Sequence, residues 1–230
     1  MSALDDRVLA ALDDVRDPEL DQSITSLGFV AKAQVVDGHA TVSLRLPTYF
    51  CAPNFAYMMV ADAHDALCAV DGITSVRIEL LDHFASEQIN AGVAAASGFT
   101  GAFDGEAGGE LSELRRQFLA KAHLAGVHAL AKTLLRQDRT PGQIAEVTLG
   151  QLPDSPALDH LRRRRRSLGL PTGPSASLLI DDTGRPIEQS SAQQYLWRAR
   201  SVAVSIEGNT AVCRGLLETR YPAAGSESAI

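Results

Sequence analysis

Hydrophobic positions along this chain switch between a helical and a strand period. Leu4, Val8, Leu9, Ala11, Leu12 and Val15 recur at helical spacing with Asp5, Asp6, Asp13 and Asp14 on the other side, which predicts an amphipathic first helix. The helix should stop at Asp17-Pro18, because proline biases the residue before it away from helical torsions. The segments Val30–Val36 and His39–Leu46 are rich in β-branched residues and flank Asp37-Gly38, a strong hairpin signal. In the second of them Ala40, Val42, Leu44 and Leu46 alternate with Thr41, Ser43 and Arg45, so one face is buried and one is wet.

Pro47 ends that strand, and helical spacing resumes through Phe55, Met58, Met59, Ala63, Ala66, Leu67 and Val70 until Asp71-Gly72. Ser75–Leu81 is a third strand. The order predicts an α+β protein: a compact α-β-β-α-β unit, its helices on one face of a small mixed sheet, followed by a mostly α-helical extension. Glu87–Ala96 reads as a short helix, and the five glycines between Ser97 and Gly109 mark a flexible connection. We therefore expect a first domain over residues 1–97, a connection over 98–109, a helical domain over 110–221 and a disordered tail over 222–230. Within the helical domain, Leu111–Gln137 is one long helix, Thr140-Pro141 opens another, and Ala157–Leu168 is a third. Residues 177–187 suggest a small β-hairpin, and two last helices, Ala192–Ile206 and Thr210–Tyr221, should break at Gly208-Asn209.

Charge sharpens this division. Residues 1–97 carry five Lys/Arg against fourteen Asp/Glu, and the remainder sixteen against fourteen. An acidic first half argues against nucleic acid as a partner there, since phosphate neutralisation needs clustered cations. No apolar run approaches the ~20 residues of a membrane span, and the first residues lack a basic segment followed by an apolar one, so a cytoplasmic protein with no membrane partner is expected. Arg162, Arg163, Arg164, Arg165 and Arg166 wrap more than one helical turn. They read as a solvated basic face or as a dock for an acidic partner surface.

Three cysteines at wide spacing, Cys51, Cys68 and Cys213, make neither a disulfide framework nor a four-cysteine zinc site. Cys68 and Cys213 lie among apolar helical positions and are expected in the core. Cys51 differs: it falls in the turn between the second strand and the next helix, where unpaired N–H groups and the helix dipole favour a thiolate. Asp17-Pro18-Glu19 presents two carboxylates in one turn, though a helix terminator with solvated acids reads equally well. His83, after the third strand, is a speculative neighbour of Cys51; a solvent-facing strand terminus is its plainer reading. His123 and His128, five apart on one helix, point away from each other and share no metal.

Asp17-Pro18-Glu19, Leu27-Gly28-Phe29-Val30, the Asp37-Gly38 hairpin, Thr48…Cys51 and Gly72-Ile73-Thr74-Ser75-Val76 occur in the order found in the PaaD/SufT-like family of small iron–sulfur cluster assembly factors. The chain resembles that family over about residues 4–82. The resemblance implies a reactive loop cysteine, Cys51, that helps to mature iron–sulfur or related metalloproteins, with Asp17, Glu19 and Thr48 as the supporting pocket. The turn departs from the family's usual Gly-Cys-Pro: here it is Phe50-Cys51-Ala52-Pro53, with Tyr49 and Phe50 crowding the thiol.

One thiol cannot complete a four-ligand site. Cargo, a transient iron–sulfur cluster or iron, would need a second subunit in a homodimer, non-cysteine ligands, or a client's cysteines. The expected function is a non-enzymatic metalloprotein maturation factor whose helical extension binds a client metalloprotein. The resemblance also implies a narrower form, since members of that family occur with multicomponent oxygenases: an accessory protein of a bacterial multicomponent, di-iron oxygenase, with an oxygenase component as partner. A thiol enzyme with Cys51 as nucleophile is the third reading, and only His83 or His39 could supply its base.

Overall fold

A computed structural model describes residues 3–103 and 111–222, which fall into two compact units: residues 1–113 together with 209–230, and residues 114–208. The first unit opens with α1 (Ala3–Asp14), whose Val8 and Leu12 are buried. Strands β1 (Val30–Val36) and β2 (His39–Arg45) then pair antiparallel. Val36 pairs with His39, so Asp37 and Gly38 form a two-residue turn, and both have positive φ (50° and 79°), as a type I′ connection requires. Helix α2 (Pro53–Cys68) crosses over to β3 (Ser75–Leu81), which lies parallel to β2, giving the order β1-β2-β3. The predicted α-β-β-α-β unit with a mixed sheet is thus the observed one.

The inward side chains of β2 (Ala40, Val42, Leu44) and Leu46 pack with Val60, Ala63 and Leu67 of α2 in one buried cluster. Helix α3 (Ser86–Ala94) follows. The stretch read as the start of a flexible connection forms a short helix, α4 (Gly98–Ala102), packed so closely that a Cβ on Gly92 would collide with Ala102. Residues 104–109 of the expected connection and 223–230 of the expected tail lie outside the described residues.

The second unit begins within α5 (Ser112–Leu135) and contains α6 (Pro141–Ala145), α7 (Pro156–Leu168) and the first part of α8 (Ala192–Arg220). Thr140 and Gln143 form a reciprocal capping box on α6, and Ser155 caps α7. The hairpin expected over 177–187 reduces to isolated bridges, Thr148 with Ser177 and Ile180 with Pro186. Gly208 and Asn209 do not break α8, which runs on for another three turns. A mid-helix glycine costs about 1 kcal/mol relative to alanine. Burial of Thr210 and Leu217 in the first unit offsets it. The last turns of α8 therefore belong to the cysteine-bearing unit, which moves the boundary away from the one expected from glycine content.

The arginine run is corrected in part. Arg165 is fully buried: its guanidinium donates to the carbonyls of Pro171, Ser177 and Leu178 and, through Nε, to Nε2 of His123 at 3.2 Å. Arg164 is buried too and bonds the His160 carbonyl. Arg162 is half-buried near Asp154 and Asp159, and only Arg163 and Arg166 are exposed. At least two of the five arginines are thus internal braces, because Leu158 and Leu161 turn the same face of α7 into the core.

Candidate functional site

The turn after β2 holds Cys51 half-buried, immediately before the N-cap residue Ala52 of α2. Pro53 occupies the first helical turn, the N-cap residue Ala52 makes no side-chain bond, and Asn54 Oδ1 accepts the Phe55 N–H at 2.9 Å. Inside the turn, the Thr48 hydroxyl accepts the Phe50 N–H at 3.2 Å and lies 3.4 Å from Cys51 Sγ. With its oxygen engaged by the Phe50 N–H, the Thr48 O–H is able to donate to the sulfur.

His83 does come to this turn, contrary to its solvent-facing reading, and it is buried. Nε2 donates to the Cys51 carbonyl at 2.7 Å, while Nδ1 accepts from the Ala85 N–H at 3.2 Å. A nitrogen that accepts carries no proton, so the ring is the neutral Nε2–H tautomer. Burial, and secondarily the nearby Arg220, hold its pKa below the usual histidine range against the opposing pull of the Cys51 carbonyl. His83 therefore pins the backbone of the thiol's loop and has no free lone pair for the sulfur. His39 starts β2 and bonds Ser75, at the far end of the strand from Cys51.

Asp17 is not a solvated terminator. It is buried, and its Oδ1 accepts from the Glu19 and Leu20 N–H groups at 2.9 and 2.8 Å, closing the turn after α1. Burial pushes its carboxyl up to about 6, against those two bonds. Glu19 is half-buried and accepts from Asn209 of α8 at 3.1 Å.

The end of α8 is the part of the site that sequence reading missed. Gln22 bonds both Thr210 (3.2 Å) and Arg214 (2.9 Å). Leu217 packs over Gly28, where a Cβ would lie 3.3 Å from the leucine's Cδ2 and where the φ of 77° already favours glycine. Arg220 donates to the carbonyls of Leu46 and Asp82, and Tyr221 donates to the Asp82 carboxylate at 2.9 Å. Cys213, expected in the core, is half-buried on this same helical face. Burial first, then the charges of Asp17, Cys51 and Glu19, push its thiol up to about 11. Cys68, also expected in the core, is exposed at the end of α2, since Ala63 and Leu67 take the inward face. The signal available in sequence was the Thr210, Cys213, Leu217, Tyr221 spacing, which marks one stripe of a helix without saying what it covers.

Outside the thiol the rim is aromatic. Tyr49 packs edge-on against Phe50 (5.0 Å), and both rings meet Phe84. Phe50 is 76% exposed, so the bulky neighbours of Cys51 face outward as a surface patch. Among the described residues no three His, Cys, Asp or Glu side chains are grouped to hold a metal ion, and no helix is long and apolar enough to cross a membrane.

Residues 5–80 match the model of a family described as iron–sulfur cluster assembly protein. The match spans about a third of the 230-residue chain and includes α1, the sheet and the Cys51 turn. It stops short of His83 and of all of α8. No curated protein and no solved structure matches the chain.

Proposed function

We propose that this protein is a maturation factor for metalloproteins, in which Cys51 handles iron, sulfur or a nascent iron–sulfur cluster as cargo. The observation that carries this is the placement of Cys51 within the family match: a half-buried thiol at a helix start, 3.4 Å from the Thr48 hydroxyl, in a loop pinned by a buried histidine. A soft sulfur donor suits iron and sulfide, and a single thiol supplies one of the four ligands such a site takes, which suits passage rather than storage. The exposed Tyr49, Phe50 and Phe84 rings give a client an aromatic anchor beside the thiol. A dedicated role in assembling one oxygenase is the narrower form of the same reading.

Catalysis by Cys51 is less well supported, because both nitrogens of His83 are committed and His39 lies at the other end of β2. Anaerobic reconstitution with iron and sulfide tests the proposal. Wild type should take up both and show sulfur-to-iron absorption, and Cys51→Ala should not; equal behaviour of the two sinks it. Recovery of one oxygenase component with the protein from its native host would select the narrower role.

A further inference from the structure

The sheet has two edges, and they end differently. On β3 the backbone groups of Leu80 that point away from β2 are taken by a side chain: the Leu80 N–H donates to Asn90 Oδ1 of α3 at 2.8 Å, and Asn90 Nδ2 donates to the Leu80 carbonyl at 3.3 Å. That amide stands where a further strand would bond. The other edge is β1. Val36 and His39 close the two-residue turn and bond each other, which points the backbone groups of Val36, Gln34 and Lys32 towards β2 and those of Val35 and Ala33 away from it. Among the described residues, no backbone group pairs with the outward N–H and C=O of Ala33 and Val35. Edges are usually guarded by a proline, a charge or a bulge. Here Lys32 and the irregularity between Val30 and Lys32 guard only the start of the strand, and Ala33-Gln34-Val35-Val36 carries neither proline nor charge.

Beside this edge lies a groove of about 320 Å³, lined by Val8 and Leu9 of α1 and by Val35 and Val36 of the strand. Leu9 is 36% exposed and Val36 65%. Asp5 is the only charged residue among the described ones that line the groove, and residues 1–97 carry fourteen Asp/Glu against five Lys/Arg. The groove lies towards the hairpin end of the sheet, whereas Cys51 follows the other end of β2.

We infer that the β1 edge and this groove together bind an extended segment of a partner protein, apolar at alternate positions and flanked by basic residues, as a fourth strand. The segment's backbone bonds Ala33 and Val35, and every second side chain enters the groove onto Val8 and Leu9. Basic flanks complement Asp5 and the acidic surface around it. A second copy of this chain fits less well: antiparallel pairing of two β1 edges sets two α1 helices on one face, each carrying Asp5, Asp6, Asp13 and Asp14. The inference goes beyond the role proposed for Cys51 and does not rest on it.

The probe is a fluorescein-labelled peptide of alternating valine and threonine with lysine at both ends, beside the same peptide with glutamate at both ends. Titrated against the full chain, the lysine peptide should bind at least tenfold more tightly by fluorescence anisotropy. On saturation, hydrogen exchange read by NMR should slow at least tenfold at the Ala33 and Val35 amides and stay unchanged at Gln34, whose amide already faces β2. Ala33→Pro deletes an outward N–H and leaves the ladder to β2 intact. Leu9→Glu puts a carboxylate into the groove. Each should weaken binding at least tenfold; Leu9 is partly exposed, so Leu9→Glu keeps the fold and carries the test if Ala33→Pro does not fold. No binding, equal binding of the two peptides, or protection that does not skip Gln34 overturns the inference. So does a concentration-dependent dimer in which Ala33 and Val35 are protected without peptide and which Leu9→Glu dissociates, because the occupant is then a second copy.

Discussion

His83 and Cys51 are joined by a 2.7 Å hydrogen bond from the imidazole Nε2 to the cysteine's own carbonyl oxygen, so the histidine holds the thiol's backbone and leaves its sulfur alone. Replacing His83 by alanine orphans that carbonyl and the Ala85 N–H together. A buried polar group left unmet costs about 1–3 kcal/mol. Urea denaturation should show a loss of that size, and alkylation of Cys51 in a Cys68→Ser background should quicken several-fold as the loop loosens. An unchanged alkylation rate would mean that the bond does not restrain the turn.

Arg220→Ala tests the strap across the root of the same turn. The side chain donates to two carbonyls, of Leu46 and Asp82, from the last helical position of α8. Its loss should raise hydrogen exchange at residues 210–221 and leave exchange in β1 and β2 near wild type. Protection of 210–221 that stays at the wild-type level would show that Leu217 and Thr210 hold the helix end without the strap.

Arg165→Ala should unfold the second unit, because it empties a fully buried site and leaves three carbonyls and His123 without their donor. Removing one member of such a buried network costs about 3–5 kcal/mol. Arg163→Ala, on the exposed face of α7, should stay within about 0.5 kcal/mol of wild type. Thermal melts of the two variants side by side distinguish a brace from a surface charge, and equal melts would contradict the assignment.

The two units should respond to acid in opposite directions. Asp17 has its carboxyl raised to about 6 from 3.8, so its contribution is most favourable below about 4 and is lost as pH rises through 6. His123 is pushed down to about 4 from 6.5, by burial first and then by Arg165, so the neutral ring's contribution is present above 6.5 and is lost as pH falls towards 4. Each amounts to on the order of 3 kcal/mol across its window. Asp17→Asn should flatten the pH dependence of the first unit between 4 and 6, and His123→Gln that of the second between 4 and 6.5. Differential scanning calorimetry across that range reads both, and profiles that keep their wild-type slopes would refute the assignments.

Much of the first domain was legible from local pattern. The Asp37-Gly38 turn, the alternation in β2 and the spacing in α2 each depend on residues close in sequence, and each recurs in the structure. Cys51 was placeable for the same reason, since Pro47 and Pro53 confine the turn to a few residues. Other positions depend on what packs above them. Cys68 was misjudged because apolar neighbours do not say which side of a helix faces inward, and Arg165 because five consecutive arginines look alike until Leu158 and Leu161 choose the buried face. Gly208-Asn209 looked like a break, and only the contacts of Thr210, Leu217 and Arg220 show why the helix continues.

By itself, then, the sequence determined the α-β-β-α-β order, the hairpin and the position of the Cys51 thiol in the turn between strand and helix, because periodicity and turn chemistry are properties of neighbouring residues. Only the tertiary structure decided that His83 grips the backbone of that turn, that Asp17 is buried, and that the last turns of α8 return to the root of the Cys51 turn. Those meetings join residues far apart in the chain, and they are set by which faces bury apolar surface together.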